Sequence, residues 1–114
     1  GHTGDFPATI KAIQALDKCL GRVLTATREV GGEILITSDH GNAEQMRVYT
    51  TEKIKSQAHT AHTSSLVPVI YIGRPATMLT NSGTLADIAP TMLYIMDLEI
   101  PREMSGTPLL RLDD

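Results

Sequence analysis

Apolar residues recur at helical spacing over the first quarter of the chain. The repeat follows the i, i+3, i+4 pattern of an amphipathic helix and comprises Ile10, Ile13, Leu16, Leu20, Val23 and Leu24. Asp5 is suited to cap this helix and Pro7 to occupy its first turn. Gly31-Gly32 predicts its end. Asp17 lies within the apolar arc, and the pattern assigns it no role.

Two short apolar runs predict strands further along the chain. Glu33 to Thr37 (E-I-L-I-T) has the character of a strand buried on both faces, and Val67 to Ile72 that of a second strand. Pro68 places the start or an edge of the second strand near its own position. Leu85 to Met96 predicts a second helix, with Pro90 tolerated near its first turn.

The remaining segments predict connections rather than regular structure. Residues 47 to 60 are polar and predict a loop, residues 73 to 83 are rich in turn formers, and residues 101 to 114 predict a tail on the surface. The order helix, strand, loop, strand, helix predicts an α/β layer fold with a mostly parallel sheet flanked by helices.

Composition narrows the class of protein. The chain has 114 residues, 41% of them hydrophobic, and a net charge of −3, which argues against nucleic-acid and membrane partners. No run is long enough to span a bilayer. A lone cysteine, Cys19, excludes an internal disulfide, indicates a reducing compartment and is predicted to be a small buried residue. The chain begins at Gly1, with no initiator Met, directly before a helix signal. It is therefore either a processed polypeptide or an excised piece of a longer protein, and the chemistry described below leads us to expect the piece.

The histidines carry the strongest chemical signal. All four fall in three short places, at His2, at His40 beside Asp39, and at His59 and His62. Asp39 and His40 follow a predicted strand, and ligand sites in open α/β sheets lie beyond the carboxyl ends of strands. His2 opens the loop before the first helix, so we expect it to follow a parallel strand that lies outside this chain. A right-handed crossover from that strand through the helix to Glu33–Thr37 would bring the loop of His2 to the same edge of the sheet. Imidazole and carboxylate ligands suit Mn, Zn, Fe or Co better than Ca, so the sequence predicts a metal site there.

Several motifs, taken in order, resemble the closing segment of bacterial cofactor-independent phosphoglycerate mutases of the alkaline phosphatase superfamily. The motifs are G-H-T-G (1–4), L-I-T-S-D-H-G-N-A-E-Q-M (35–46), A-H-T-A-H-T (58–63), V-P-V-I-Y-I-G (67–73), D-I-A-P-T-M-L (87–93) and E-M-S-G-T-P-L (103–109). The resemblance covers nearly the whole chain. D-H-G alone would indicate only the wider superfamily, whereas D-H-G-N-A-E-Q-M is specific.

The resemblance implies an isomerase that interconverts 3-phosphoglycerate and 2-phosphoglycerate in glycolysis through a phosphoserine, without 2,3-bisphosphoglycerate. It implies two divalent ions, usually Mn²⁺, with Mg²⁺, Co²⁺ or Zn²⁺ as alternatives. Asp39 and His40 match ligands of the metal that also holds the serine, and His2 and His62 match ligands of the other metal. His59 is not at a ligand position. The implied parent is a cytoplasmic monomer that acts on a small molecule, with no nucleic-acid or membrane partner.

The same resemblance implies what the chain lacks. Residues 1–114 match the C-terminal part of a metal-binding, alkaline-phosphatase-like domain, without its N-terminal part and without the inserted phosphotransferase domain. The catalytic serine, two aspartate ligands and the substrate-binding arginines would lie in those missing parts, so the isolated chain is expected to be inactive. Two alternatives stay open: another metallohydrolase or a phosphopentomutase of the same superfamily, and a metal-binding domain without catalysis.

Overall fold

The first helix begins at a side-chain cap. The computed structural model describes residues 5–43, 47–50, 53–58 and 66–113, and its first element, α1, spans Phe6–Glu29. The Asp5 carboxylate accepts a hydrogen bond from the Ala8 amide at 3.0 Å, which satisfies one of the amides left without a helical partner. Pro7 lies in the first turn, where it has no helical hydrogen bond to lose. Both predicted start signals are confirmed.

The helix ends at the glycine pair, as predicted. Gly31 adopts a left-handed φ of 69°, which only glycine takes without a steric penalty. Its amide donates to the Arg28 carbonyl at 3.0 Å, and the Gly32 amide donates to the Thr27 carbonyl at 2.9 Å. This pair of hydrogen bonds is the Schellman motif, and it satisfies carbonyls at the helix end.

The chain divides into two units, Gly1–Tyr71 and Ile72–Asp114. In the first unit, β1 (Ile34–Ile36) follows α1 and pairs with β4 (Ile70–Ile72), which begins in this unit. Both strands are shorter than predicted, and β1 is half-buried rather than buried on both faces. The strand β4 starts two residues after Pro68, in keeping with the expected effect of that proline. The Tyr71 hydroxyl donates to the Glu33 carboxylate beside β1.

A hairpin occupies the segment that the sequence predicted as a loop. Strands β2 (Arg47–Thr50) and β3 (Lys53–Ala58) pair antiparallel, from Arg47 opposite Ala58 to Tyr49 opposite Ser56, with an irregularity before Thr50. The loop prediction was therefore wrong. The polar composition of the segment concealed the β-branched and aromatic residues at 48–50, which favour a strand.

The second unit is built around one helix and one strand pair. Strand β5 (Ala76–Met78) pairs antiparallel with β6 (Leu110–Leu112). Between them lie a 3₁₀ turn at Leu85–Asp87 and α2 (Ile88–Ile95). The predicted helix is thus confirmed, with Pro90 in the first turn of α2.

The C-terminal segment supplies the core rather than a surface tail. Leu109 and Leu110 are 4% and 1% exposed, and they are the buried hydrophobic residues of the part of the chain that the structure describes. The prediction of a surface tail was therefore wrong. Because β5 and β6 are far apart in sequence, no local pattern around either strand indicated their pairing.

A hydrogen-bond network joins the start of α2 to the segment before β6. The Asp87 carboxylate accepts from the Thr84 amide at 2.8 Å and from the Thr107 amide at 2.9 Å. These two bonds lower the pKa of Asp87 below its ordinary value because they stabilise the ionised form, and the bond from the Thr84 amide has the larger effect. Thr91 is fully buried; its hydroxyl donates to the Asp87 carbonyl at 2.6 Å and accepts from the Leu109 amide at 2.9 Å.

The predicted α/β class is confirmed. Within it, the described strands form three two-stranded sheets, and the pairs β2–β3 and β5–β6 are antiparallel, where the sequence predicted a mostly parallel sheet. Antiparallel pairing needs no crossover helix, so short strands joined by turns can form it locally. Among the described helices, neither has the length and apolar content needed to cross a lipid bilayer.

Candidate metal site

The predicted ligands Asp39 and His40 lie in a tight bend directly after β1. That strand ends at Ile36, and the next residues leave the sheet. The Ser38 hydroxyl donates to the His40 carbonyl at 2.8 Å, which closes the bend around Asp39. This side-chain-to-backbone bond constrains the backbone of the bend that carries the two ligand candidates.

The ring of His40 is oriented by its neighbour. Its Nδ1 lies 2.9 Å from the Gly41 carbonyl oxygen. A carbonyl oxygen can only accept, so Nδ1 must carry the proton, and in the neutral ring Nε2 then carries the lone pair. A backbone carbonyl at the second ring nitrogen is the usual arrangement for a metal-binding histidine. The His40 side chain is 28% exposed, so it is held by the fold and still accessible.

Asp39 provides the second ligand candidate next to the same nitrogen. Its side chain is 86% exposed, and its Oδ1 lies 3.6 Å from His40 Nε2. This separation is too long for a good hydrogen bond. Two ligands that each lie about 2.1 Å from one ion are roughly 3.0 to 3.4 Å apart at octahedral and tetrahedral angles. The pair therefore fits two ligands of one divalent ion after a small adjustment of the exposed Asp39 side chain.

Two polar residues flank this pair and were not singled out by the sequence. The Thr37 hydroxyl is buried and has no hydrogen-bond partner in the structure as described. Asn42 is only 9% exposed. Their only sequence signal is their position on either side of S-D-H-G, and position alone does not separate a supporting residue from an ordinary loop residue.

The other two predicted ligands, His2 and His62, lie outside the described residues, as does His59. Their convergence with Asp39 and His40 therefore stays a prediction. Within the described ranges, no group of three or more His, Cys, Asp and Glu side chains could hold a metal ion. Asp39 and His40 are accordingly two members of a predicted ligand set. The exposed thiol of Cys19 lies on α1, so the prediction that Cys19 is buried was wrong.

Comparisons with known proteins agree with this chemistry. The sequence model of the Metalloenzyme superfamily matches residues 1–100. Over all 114 residues the chain is 54% identical to the 2,3-bisphosphoglycerate-independent phosphoglycerate mutase of Shewanella pealeana and 56% identical to that of Shewanella amazonensis. In both cases the whole chain aligns, to 21% of the relative. The chain therefore spans about a fifth of the length of these relatives.

A solved structure supports the same relationship. A crystal structure of Leishmania mexicana phosphoglycerate mutase at low cobalt concentration superposes on 98% of this chain with a TM-score of 0.85 and 28% sequence identity. The chain covers 23% of that protein. The fold of this chain thus matches part of a larger fold of the alkaline-phosphatase type.

Proposed function

The chain belongs to the Metalloenzyme superfamily, and we propose that it is the C-terminal segment of a cofactor-independent phosphoglycerate mutase. The parent would interconvert 3-phosphoglycerate and 2-phosphoglycerate as a cytoplasmic, monomeric glycolytic enzyme that needs no 2,3-bisphosphoglycerate. The observation that carries this proposal is the 54% identity to a mutase in an alignment that covers all 114 residues of the chain.

In the parent, Asp39 and His40 would hold one divalent ion, and His2 and His62 would contribute to a second. Mn²⁺ is the ion we expect, with Mg²⁺, Co²⁺ or Zn²⁺ as alternatives, since carboxylate and imidazole ligands accept all of them. Such a pair of ions lowers the pKa of a serine hydroxyl and balances the charge of a phosphoryl group in transfer.

His40 and Asp39 would have different roles in that site. The hydrogen bond from His40 Nδ1 to the Gly41 carbonyl would orient the ring and leave Nε2 available to bind the ion. Asp39 supplies a negative charge beside that nitrogen and is accessible enough to reach the same ion. The serine that forms the phosphoseryl intermediate would come from the remaining part of the parent, so this chain alone should have no mutase activity.

A chimera tests the proposal. The matched fifth of the Shewanella pealeana enzyme is replaced by this chain, and kcat for 3-phosphoglycerate is measured at saturating Mn²⁺ in an enolase-coupled assay. We expect an active chimera. Asp39→Asn and His40→Ala should each lower kcat by at least about 10²-fold, the typical loss when one electrostatic stabiliser is removed. Circular dichroism verifies folding, and metal analysis shows whether each variant has lost bound Mn²⁺.

His59→Ala is the matched control, because it lies three residues from His62 and outside the ligand pattern. We expect an effect smaller than about tenfold, equal to roughly 1.4 kcal/mol. A folded chimera without mutase activity would contradict the proposed reaction. An active chimera in which His59→Ala is as damaging as His40→Ala would instead contradict the assignment of ligands.

A further inference from the structure

The second unit contains an open groove between the end of β5, the helix α2 and the segment that leads into β6. Its volume is about 490 Å³, which lies within the range of small-molecule sites. The apolar part of its lining comprises Leu79, Tyr94, Pro108 and Leu110. Leu110 is buried and therefore forms the floor. The groove thus offers an apolar surface to a small organic molecule.

Hydrogen bonds hold the walls of this groove in place. The Leu79 amide donates to the Leu109 carbonyl at 2.8 Å, which joins the wall that follows β5 to the wall that precedes β6. The Tyr94 hydroxyl accepts from the Leu112 amide at 2.9 Å, which ties the ring on α2 to β6. The groove is therefore formed before any ligand arrives, and binding would not have to order these segments.

Three side chains that line the groove have hydrogen-bond donors without an acceptor in the described part of the chain. The Arg111 guanidinium makes no hydrogen bond or ion pair with a described residue. The Tyr94 hydroxyl only accepts, so its own proton stays available to donate. The Thr107 hydroxyl is also unpaired, because the bond from this residue to Asp87 uses its backbone amide. The described lining residues include a cation and no carboxylate, so the polar side of the groove suits an anion.

We propose that this groove binds a small organic carboxylate with an apolar body. The Arg111 guanidinium would pair with the carboxylate, because its planar group of donors matches the two carboxylate oxygens. The hydroxyl groups of Tyr94 and Thr107 would donate hydrogen bonds to the same anion. The apolar body would pack on Leu79 and Leu110 and remove their surface from water.

The groove is not the site of the proposed reaction. Its residues belong to the second unit, whereas Asp39 and His40 belong to the first. A phosphoglycerate is charged or polar along its whole length, so in this groove it would lose water without covering the apolar walls. The inference therefore goes beyond the proposed function and does not depend on it.

The test compares three small probes in nuclear magnetic resonance titrations of the isotope-labelled chain. The probes are phenylacetate, its neutral analogue phenylacetamide, and inorganic phosphate. Phenylacetate should shift the amide signals of Leu79, Leu110 and Leu112 with a Kd of about 1 mM, as befits so small a ligand. Phenylacetamide lacks the charge and phosphate lacks the apolar body, so each should bind at least about fivefold more weakly.

Substitutions then identify the groups that hold the anion. Arg111→Gln removes the charge and should weaken phenylacetate binding by at least about tenfold. Thr107→Val removes one hydroxyl, keeps the backbone amide that bonds Asp87, and should weaken binding by about threefold. Arg102→Gln is the matched control, because Arg102 is an exposed arginine of the same unit outside the groove, and it should leave Kd unchanged. Circular dichroism verifies that all three variants fold.

Several results would overturn the inference. Equal affinity for phenylacetate and phenylacetamide would show that the groove does not recognise an anion, and equal affinity for phosphate would show that the apolar walls take no part. A folded Arg111→Gln variant with unchanged Kd would remove this arginine from the site. The same titration is repeated with the folded chimera: if the chain binds phenylacetate and the chimera does not, the parent has no such site. None of these readouts depends on mutase turnover.

Discussion

The Leu109 amide and the Thr91 hydroxyl form a hydrogen bond of 2.9 Å that joins α2 to the segment leading into β6. The same hydroxyl donates to the Asp87 carbonyl at 2.6 Å. Thr91 is fully buried, so each of these bonds replaces one that water would otherwise make. The stability of the second unit therefore depends in part on a threonine hydroxyl that both donates and accepts a hydrogen bond. The buried Thr37 hydroxyl beside the candidate metal site, in contrast, has no partner among the described residues.

The two threonines should respond oppositely to removal of the hydroxyl. Thr91→Val leaves the buried Leu109 amide without an acceptor and should lower the free energy of unfolding by about 1–3 kcal/mol. Thr37→Val removes a buried hydroxyl that makes no hydrogen bond, so stability should stay equal or rise by up to about 1 kcal/mol. Urea unfolding followed by circular dichroism measures both. Equal losses for the two variants would show that the Thr37 hydroxyl does have a partner.

The lowered pKa of Asp87 predicts a pH-dependent contribution to stability. Two backbone amides, those of Thr84 and Thr107, stabilise the ionised carboxylate. Because the pKa is lower in the folded state, the stabilisation is fully present above the unfolded pKa of about 3.9 and is lost as the pH falls through the folded value. Asp87→Asn should therefore be less stable than the native chain near pH 7, and the difference should shrink steadily below pH ~4.

Thermal unfolding at a series of pH values checks this, with Glu103→Gln as the control because Glu103 is exposed in a turn. The control should match the native chain near neutral pH. A difference between Asp87→Asn and the native chain that stayed constant down to the lowest pH would mean that the amide hydrogen bonds do not depend on the charge of the carboxylate.

Alanine substitutions at two glycines, one inside α1 and one just after it, should change the stability in opposite directions. Gly31→Ala forces a side chain onto a φ of 69° and should cost about 1–2 kcal/mol. Gly21 lies inside α1, and a methyl group added there meets no atom within 4 Å, so Gly21→Ala should stabilise the helix by up to about 1 kcal/mol. Helical circular dichroism during heating measures both effects. A neutral Gly31→Ala variant would show that the helix end can adopt another conformation.

Local signals in the sequence predicted α1 well. Asp5, Pro7 and Gly31 each act on backbone groups within a few residues, so their effects can be read without knowing the rest of the fold. The pairing of β5 with β6 could not be read in this way, because it joins Ala76 to Leu112 and each strand has only three residues. The prediction of a buried Cys19 was wrong because burial depends on contacts with the rest of the fold. An apolar strip indicates which side of a helix tends to be covered, but it does not show that this side is covered. In the structure Cys19 and the large apolar residues of α1 are mostly exposed.

The placement of Asp39 and His40 was predicted from the sequence, and their role as metal ligands stays a prediction. The adjacency of Asp39 and His40 after a strand is a local feature, and the structure shows it with the histidine ring oriented by Gly41. The Ser38 bond that closes the bend depends on backbone geometry and could not be read from residue types alone. The contribution of His2 and His62 depends on loops outside the described residues and stays a prediction.

Metal binding by the isolated chain follows from its partial ligand set. A complete structural zinc site contributes about 10–16 kcal/mol, and Asp39 with His40 provides two candidate ligands in the bend after β1. We therefore expect the chain to bind Mn²⁺ or Zn²⁺ with a Kd weaker than about 1 μM, equal to roughly 8 kcal/mol. Isothermal titration calorimetry measures this value directly. His40→Ala should weaken binding by at least about tenfold, or 1.4 kcal/mol, whereas Glu103→Gln should not change it. Sub-nanomolar binding would show that the chain holds a full site by itself, and binding unaffected by His40→Ala would remove this histidine from the site.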